Sequence, residues 1–157
     1  MTQLGALMES SAQRLLVVED DVTVARALSR MLARRGFSVA IARTCSAARM
    51  LPQTFDFAVL DLDLPDGTGV DLARELLDAG KVPGVLFFTG TVDLALLARA
   101  RRIGGVVMKS AGTSPVLAYL ANASSDSAPP QSRIAPSPKA RSYRASSSSS
   151  LRRSRAR

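Results

Sequence analysis

The chain has no His, no Trp and a single Cys among its 157 residues, and each scarcity removes a chemistry. Without imidazole, neither Ser-His-Asp nor Cys-His nucleophile systems can be assembled, and no His-ligated zinc site can form. Cys45 alone can make neither an intramolecular disulfide nor a thiolate cluster around a metal. No apolar run reaches the roughly 18 residues of a bilayer-spanning helix, and the N-terminal stretch lacks the basic-then-apolar pattern of a signal sequence. These absences predict a soluble, cytoplasmic protein that spans no membrane. The length predicts one ordinary domain, since about 100–200 residues make one, without a separate folded output module.

What is present is unevenly distributed. The 21 Lys and Arg outweigh 13 Asp and Glu, for a formal charge of +8. Residues 1–123 hold 13 basic and 12 acidic side chains, whereas residues 124–157 hold 8 basic ones against Asp126 alone. The excess charge belongs to the tail. That tail is built from Ser, Arg and Pro, including Pro129-Pro130 and the run Ser146 to Ser150. Such a composition cannot bury enough apolar surface to offset the entropy of ordering its backbone. The expected organisation is a flexible extension over residues 1–13, an ordered domain over 14–123 and a disordered basic tail over 124–157. The plainer expectation for the tail is a solvated linker. The alternative is salt-sensitive contact with nucleic acid or an anionic surface through Lys139, Arg141, Arg152, Arg153, Arg155 and Arg157. Tyr143 is its one aromatic residue, and no helix-turn-helix fits after residue 123.

Within 14–123 the apolar pattern switches repeatedly between short continuous runs and helical spacing. Residues 14–19 read as a strand, and residues 22–35 as a helix with Val22, Ala25, Leu28, Met31 and Leu32 on one face, stopped at Gly36. Strands follow at 37–42, 55–60, 84–88 and 106–108, separated by helices at 44–51, 70–79 and 92–103, with a last helix at 115–123. Pro65-Asp66-Gly67-Thr68-Gly69 reads as a turn. Alternating buried strands and helices predict a doubly wound α/β domain: a five-stranded parallel sheet covered on both faces, with right-handed crossovers.

In such a fold the ligand lies beyond the carboxyl ends of the strands. The residues there are Glu19-Asp20-Asp21, Asp61 with Asp63, Thr89-Gly90 and Lys109. Taken singly, each has a plain structural explanation. An acidic run caps a helix, an Asp turns a loop, a Thr satisfies loop backbone, and a Lys ends a strand in solvent. Taken together they are the carboxylates, hydroxyl and ammonium that phosphoryl transfer needs, at one edge of one sheet. Carboxylates crowded in a small cleft call for a hard divalent cation with oxygen ligands, namely Mg²⁺.

Across residues 14–123 the sequence resembles the receiver domains of two-component response regulators. Leu-Leu-Val-Val-Glu19-Asp20-Asp21, Val-Leu-Asp61-Leu-Asp63-Leu-Pro65-Asp66-Gly67, Phe-Phe-Thr89-Gly90 and Val-Val-Met-Lys109 follow that family's motifs in order. The spacings are 41 residues from Asp20 to Asp61, 28 to Thr89 and 20 to Lys109. The resemblance implies a flavodoxin-like (βα)5 fold with strand order 2-1-3-4-5. It implies that Asp61 is the phosphoacceptor and receives its phosphoryl group from a histidine kinase or a His-containing phosphotransfer protein. Asp20, Asp61, the backbone carbonyl of Asp63, and Glu19 through water would hold Mg²⁺. Lys109 would pair with the acyl phosphate, and Thr89 would bond one of its oxygens. The protein would be a switch of protein contacts, not an enzyme, with its downstream partner unnamed by the sequence. The alternative within the same chemistry is a relay that passes the group to another His-containing carrier.

Two positions depart from the family pattern. The switch aromatic of the fifth strand is replaced by Val106, and the usual proline after the lysine by Ser110. Asp61-x-Asp63 is also similar to the haloacid dehalogenase phosphatases, but Pro65 and the upstream Glu19-Asp20 fit that pattern poorly, and about 110 ordered residues leave no room for a cap domain. Gly67-x-Gly69 is not a dinucleotide loop, because position 72 is Leu and the acidic cluster would repel pyrophosphate.

Overall fold

The computed structural model describes residues 11–125. The readings for residues 1–10 and 126–157, and so most of the extension and the basic tail, lie outside the described residues. Strand β1 (Arg14–Val18) leads into helix α1 (Val22–Ala33), followed by β2 (Ser38–Ala42) and α2 (Cys45–Met50). Next come β3 (Phe57–Leu60), a pair of two-residue strands β4 (Asp63–Leu64) and β5 (Gly67–Thr68), and α3 (Gly69–Asp78). The chain continues through β6 (Val85–Thr89), α4 (Leu94–Arg101), β7 (Gly105–Met108), a 3₁₀ turn at Lys109–Ala111 and α5 (Ser114–Ser125).

The main sheet is parallel and five-stranded, in the order β2-β1-β3-β6-β7. This is the expected 2-1-3-4-5 order once β4 and β5, which pair only with each other, are left out of the count. Side chains alternate across the strands and so build two cores. Leu15, Val17, Val59, Leu86 and Phe88 face α1 and α5, meeting Leu28, Leu32, Val116 and Leu120. Leu16, Val18, Ala58, Leu60 and Phe87 face the other layer, meeting Ala48 of α2, Leu72 and Leu76 of α3, and Leu97 and Ala100 of α4. Among the described residues no helix is long and apolar enough to cross a membrane.

Several element boundaries differ from the expected ones where local hydrogen bonds or a positive φ turn the backbone. The first helix stops at Ala33 rather than residue 35, and the chain turns at Gly36 with φ of 88°. The fourth starts at Leu94 rather than 92, because the Asp93 carboxylate accepts the N–H groups of Ala95 and Leu96 as its cap. The third strand begins at Phe57, not 55, since the Phe55 N–H bonds Lys81 O outside the ladder. The last helix runs to Ser125, past the expected boundary at 123, with Ser124 Oγ donating to Leu120 O and to Gln13 Oε1. Gln13, placed in the flexible extension by the sequence, also accepts the Ser38 N–H and so belongs to the fold.

The expected turn is present, with Pro65 and Asp66 closing the β4–β5 hairpin, while Gly67-Thr68 and Gly69, expected within the turn, form β5 and the start of α3. The Asp66 carboxylate reaches back to accept the N–H groups of Cys45 and Ser46 at 2.8 Å each, holding the first turn of α2. Those two bonds to the ionised form push the Asp66 carboxyl below its usual range. A depressed folded-state pKa contributes stability that is full above the ordinary carboxylate pKa and is lost as pH falls through the folded value. Asp66→Asn is therefore expected to lower the urea midpoint at neutral pH. The gap to the wild type should begin to shrink below the ordinary carboxylate pKa of about 4 and close as pH falls through the lower folded value, where Asp66 takes up its proton; a gap independent of pH would contradict this role.

Candidate functional site

Parallel pairing brings the carboxyl ends of the strands to one edge, and the register decides which residues stand side by side. Val18 of β1 pairs with Leu60 of β3, so Glu19 and Asp61, the next residues along, emerge together. Thr89 ends β6 opposite Met108 of β7, and Lys109 follows directly. The edge is pinned by the bond from Asp61 N to Val18 O at 2.9 Å and from Glu19 N to Ala42 O at 3.1 Å.

At the centre of this edge the Lys109 ammonium bridges two carboxylates. Its Nζ lies 2.7 Å from Glu19 Oε2 and 2.6 Å from Asp61 Oδ2. The other Asp61 oxygen, Oδ1, accepts the Leu62 N–H at 2.7 Å, and Glu19 Oε1 accepts the Asp21 N–H at 3.1 Å. Glu19 and Asp61 are buried, whereas Asp20 is exposed. Each of these three residues offers a carboxylate oxygen within 4.8 Å of the other two. Asp21, although adjacent, is spent as the cap of α1, its Oδ1 accepting from Thr23 N and Val24 N.

Burial pushes the Glu19 carboxyl above its usual range, and the neighbouring Asp61 charge adds to the rise against the opposing bond from Lys109. Burial acts in the opposite sense on Lys109, but its hydrogen bonds to Asp61 and Glu19 win, so its pKa is raised and it remains an ammonium. One cation thus faces three carboxylates. The donor set is all oxygen, partly buried and short of positive charge, which fits a hard divalent cation.

The remaining predicted residues lie around this centre. Thr89 is fully buried, and its Oγ1 accepts the Thr91 N–H at 3.2 Å. Asp63 sits two residues beyond Asp61 at the start of the hairpin, exposed, with its N–H 3.4 Å from Asp61 Oδ1. At Gly90 an added Cβ would meet only Lys109 Cδ, at 3.9 Å. Val106 pairs with Phe87 and lies half-buried against the core shared with α4.

One site residue is not evident from the sequence. Gly69 opens α3 directly beneath Asp61, and a Cβ there would stand 1.9 Å from the Asp61 carbonyl oxygen. Its N–H donates to Leu62 O at 2.9 Å, which ties the loop after β3 to the start of the helix. The sequence signal is the Gly67-x-Gly69 pair, but a glycine needed for close approach looks like any turn glycine until its neighbour is known. Gly69→Ala is expected to cost about 1–3 kcal/mol in urea unfolding, as overpacking against backbone does, whereas Gly90→Ala should unfold like the wild type. Equal midpoints for all three proteins would remove the close-contact role of Gly69.

The family model described as response regulator receiver domain matches residues 15–120. The chain is 32% identical over 110 residues to the photosynthetic apparatus regulatory protein RegA of Rhodovulum sulfidophilum, covering 68% of this chain and 60% of that protein. It therefore spans little more than half the length of the curated relative. Among solved structures, the non-phosphorylated HemR receiver domain from Leptospira biflexa superposes with a TM-score of 0.66 at 32% identity, covering 74% of this chain and 98% of that one. A response regulator from Burkholderia pseudomallei with a phosphorylated aspartic acid, calcium ion and citrate gives a TM-score of 0.62 at 32% identity, covering 72% and 69%.

Proposed function

The chain belongs to the response regulator receiver domains, and from that premise we propose that Asp61 accepts a phosphoryl group from a phosphohistidine on a second protein. The observation that carries the proposal is the Lys109 bridge to Asp61 and Glu19 beside Asp20. It is supported by the phosphorylated aspartic acid of the Burkholderia relative. Having no His, the chain takes the acceptor side of the transfer, and the donor is a histidine kinase or a phosphotransfer protein.

In the proposed step an oxygen of the ionised Asp61 attacks phosphorus. A new O–P bond makes an acyl phosphate, the N–P bond to the partner's imidazole breaks, and the electron pair leaves with that nitrogen. Glu19, Asp20, Asp61 and the Asp63 carbonyl would hold Mg²⁺, which when bound would neutralise charge on the transferring oxygens. Lys109 is already hydrogen-bonded to Asp61 and needs only to follow the charge outward to the phosphate. Thr89 would exchange its local bond to Thr91 N–H for donation of its hydroxyl proton to a phosphate oxygen. Gly90, without a side chain, leaves that approach open.

The added charge would act on the surface formed by α4, β7 and α5 and so change protein contacts. Val106 favours a second use. A small aliphatic side chain at the family's switch position gains little area by moving between buried and exposed positions, whereas a relay that hands the group to another His-containing carrier needs no such movement.

Incubation of the full chain with a small phosphodonor and Mg²⁺ is expected to add one phosphoryl group by intact mass, labile at alkaline pH. Asp61→Asn should add none, and a chelator should suppress labelling of the wild type. Equal labelling of wild type and Asp61→Asn would sink the assignment, and sustained turnover of a phosphate ester would point to a phosphatase.

A further inference from the structure

Of the three carboxylates gathered at the strand ends, two are held through their side chains and one is not. Glu19 and Asp61 each bond Lys109 with one oxygen and accept a backbone N–H with the other. Asp20 is exposed, and among the described residues its carboxylate has neither a hydrogen-bond nor an ion-pair partner. Where that carboxylate stands is therefore decided by the Asp20 backbone. The one hydrogen bond to Asp20 among the described residues comes from Arg43, whose Nη2 donates to the Asp20 carbonyl at 2.9 Å across 23 positions of sequence.

Arg43 springs from a fixed stretch of chain. Ala42 before it ends β2 in register with Val18 and accepts the Glu19 N–H at 3.1 Å. Thr44 after it caps α2 by accepting the Ala47 N–H at 3.0 Å, and the Asp66 carboxylate holds the N–H groups of Cys45 and Ser46. Hydrogen bonds thus link the hairpin that follows Asp61 to the start of α2, and Arg43 carries the link on to Asp20.

The atom that Arg43 binds matters as much as its place. Arg49 and Arg99 pair with the carboxylates of Glu75 and Asp71, whereas Arg43 pairs with no carboxylate among the described residues, that of Asp20 included. An ion pair with the Asp20 side chain would occupy the lone pairs that a hard cation needs. A bond to the carbonyl fixes the same residue and leaves both carboxylate oxygens free.

We propose that Arg43 is a positioning residue for Mg²⁺: by holding the Asp20 carbonyl it keeps the Asp20 carboxylate beside Glu19 and Asp61, where it serves as a metal ligand. This rests on the reading of the edge as a Mg²⁺-dependent phosphoacceptor site. Charge alone predicts the opposite effect, because a guanidinium beside the cluster repels a divalent cation and its loss would tighten binding.

The test titrates the isotope-labelled full chain with MgCl₂ at constant ionic strength, without a phosphodonor, and follows the amide chemical shifts of the site. Arg43→Met, which keeps a long side chain but no donor, is expected to bind Mg²⁺ about tenfold more weakly, as loss of a group that orients a metal ligand does. Arg43→Lys, which retains a cationic donor, should fall between Arg43→Met and the wild type. Urea midpoints measured without Mg²⁺ should agree for all three proteins, since the Arg43 side chain is exposed, so that the loss is read in the metal and not in the fold. Equal or tighter Mg²⁺ binding by Arg43→Met would overturn the proposal and leave the metal site standing. A wild type whose site amides show no saturable shift with Mg²⁺ would overturn the reading of the site, and this proposal with it.

Discussion

A single ammonium shared between two carboxylates is the interaction on which the site depends. Lys109 reaches Glu19 and Asp61 from a different strand end, and without it two buried like charges would face each other with no compensation close by. The bridge leaves the cluster short of positive charge, since Asp20 adds a third carboxylate at its open side. That imbalance is what a hard divalent cation would offset. A neutral site would have no such appetite, and a site without Lys109 would meet the desolvation cost of its carboxylates unaided.

The rest of the fold holds that geometry still. Register along β1, β3, β6 and β7 places the four strand ends, and the two apolar cores fix the sheet between its helical layers. Below Asp61 the loop passes over Gly69, and the hairpin after it delivers Asp66 to the start of α2 and Thr68 to the start of α3. The loop that carries Asp61 is thus continuous with the caps of two helices. By contrast the Arg49–Glu75 and Arg99–Asp71 pairs lie in solvent and contribute little to holding the layers together.

Charge is segregated along the molecule as well as within the site. The acidic cluster of Glu19, Asp20 and Asp61 lies at the carboxyl ends of the strands, whereas Arg26, Arg30, Arg34 and Arg35 are exposed on α1 and just after it. The acidic cluster thus stands within a stretch, residues 1–123, that is close to neutral, 13 basic against 12 acidic. Net charge alone conceals both.

Alternation of apolar runs with helical spacing was enough to determine a doubly wound sheet, and the strand-end residues Glu19, Asp20, Asp61, Thr89 and Lys109 were readable because parallel strands must release their carboxyl ends on one side. Those are local patterns with a single global solution. Tertiary structure alone decided what depends on groups distant in sequence meeting at contact distance. The Lys109 bridge spans 48 residues to Asp61, the Asp66 cap reaches across 21 to Cys45, and Gly69 is required only because a carbonyl lies 1.9 Å from where its Cβ would be. Periodicity reports which face of an element is buried; it carries no information about which atom on another element fills the space beside it.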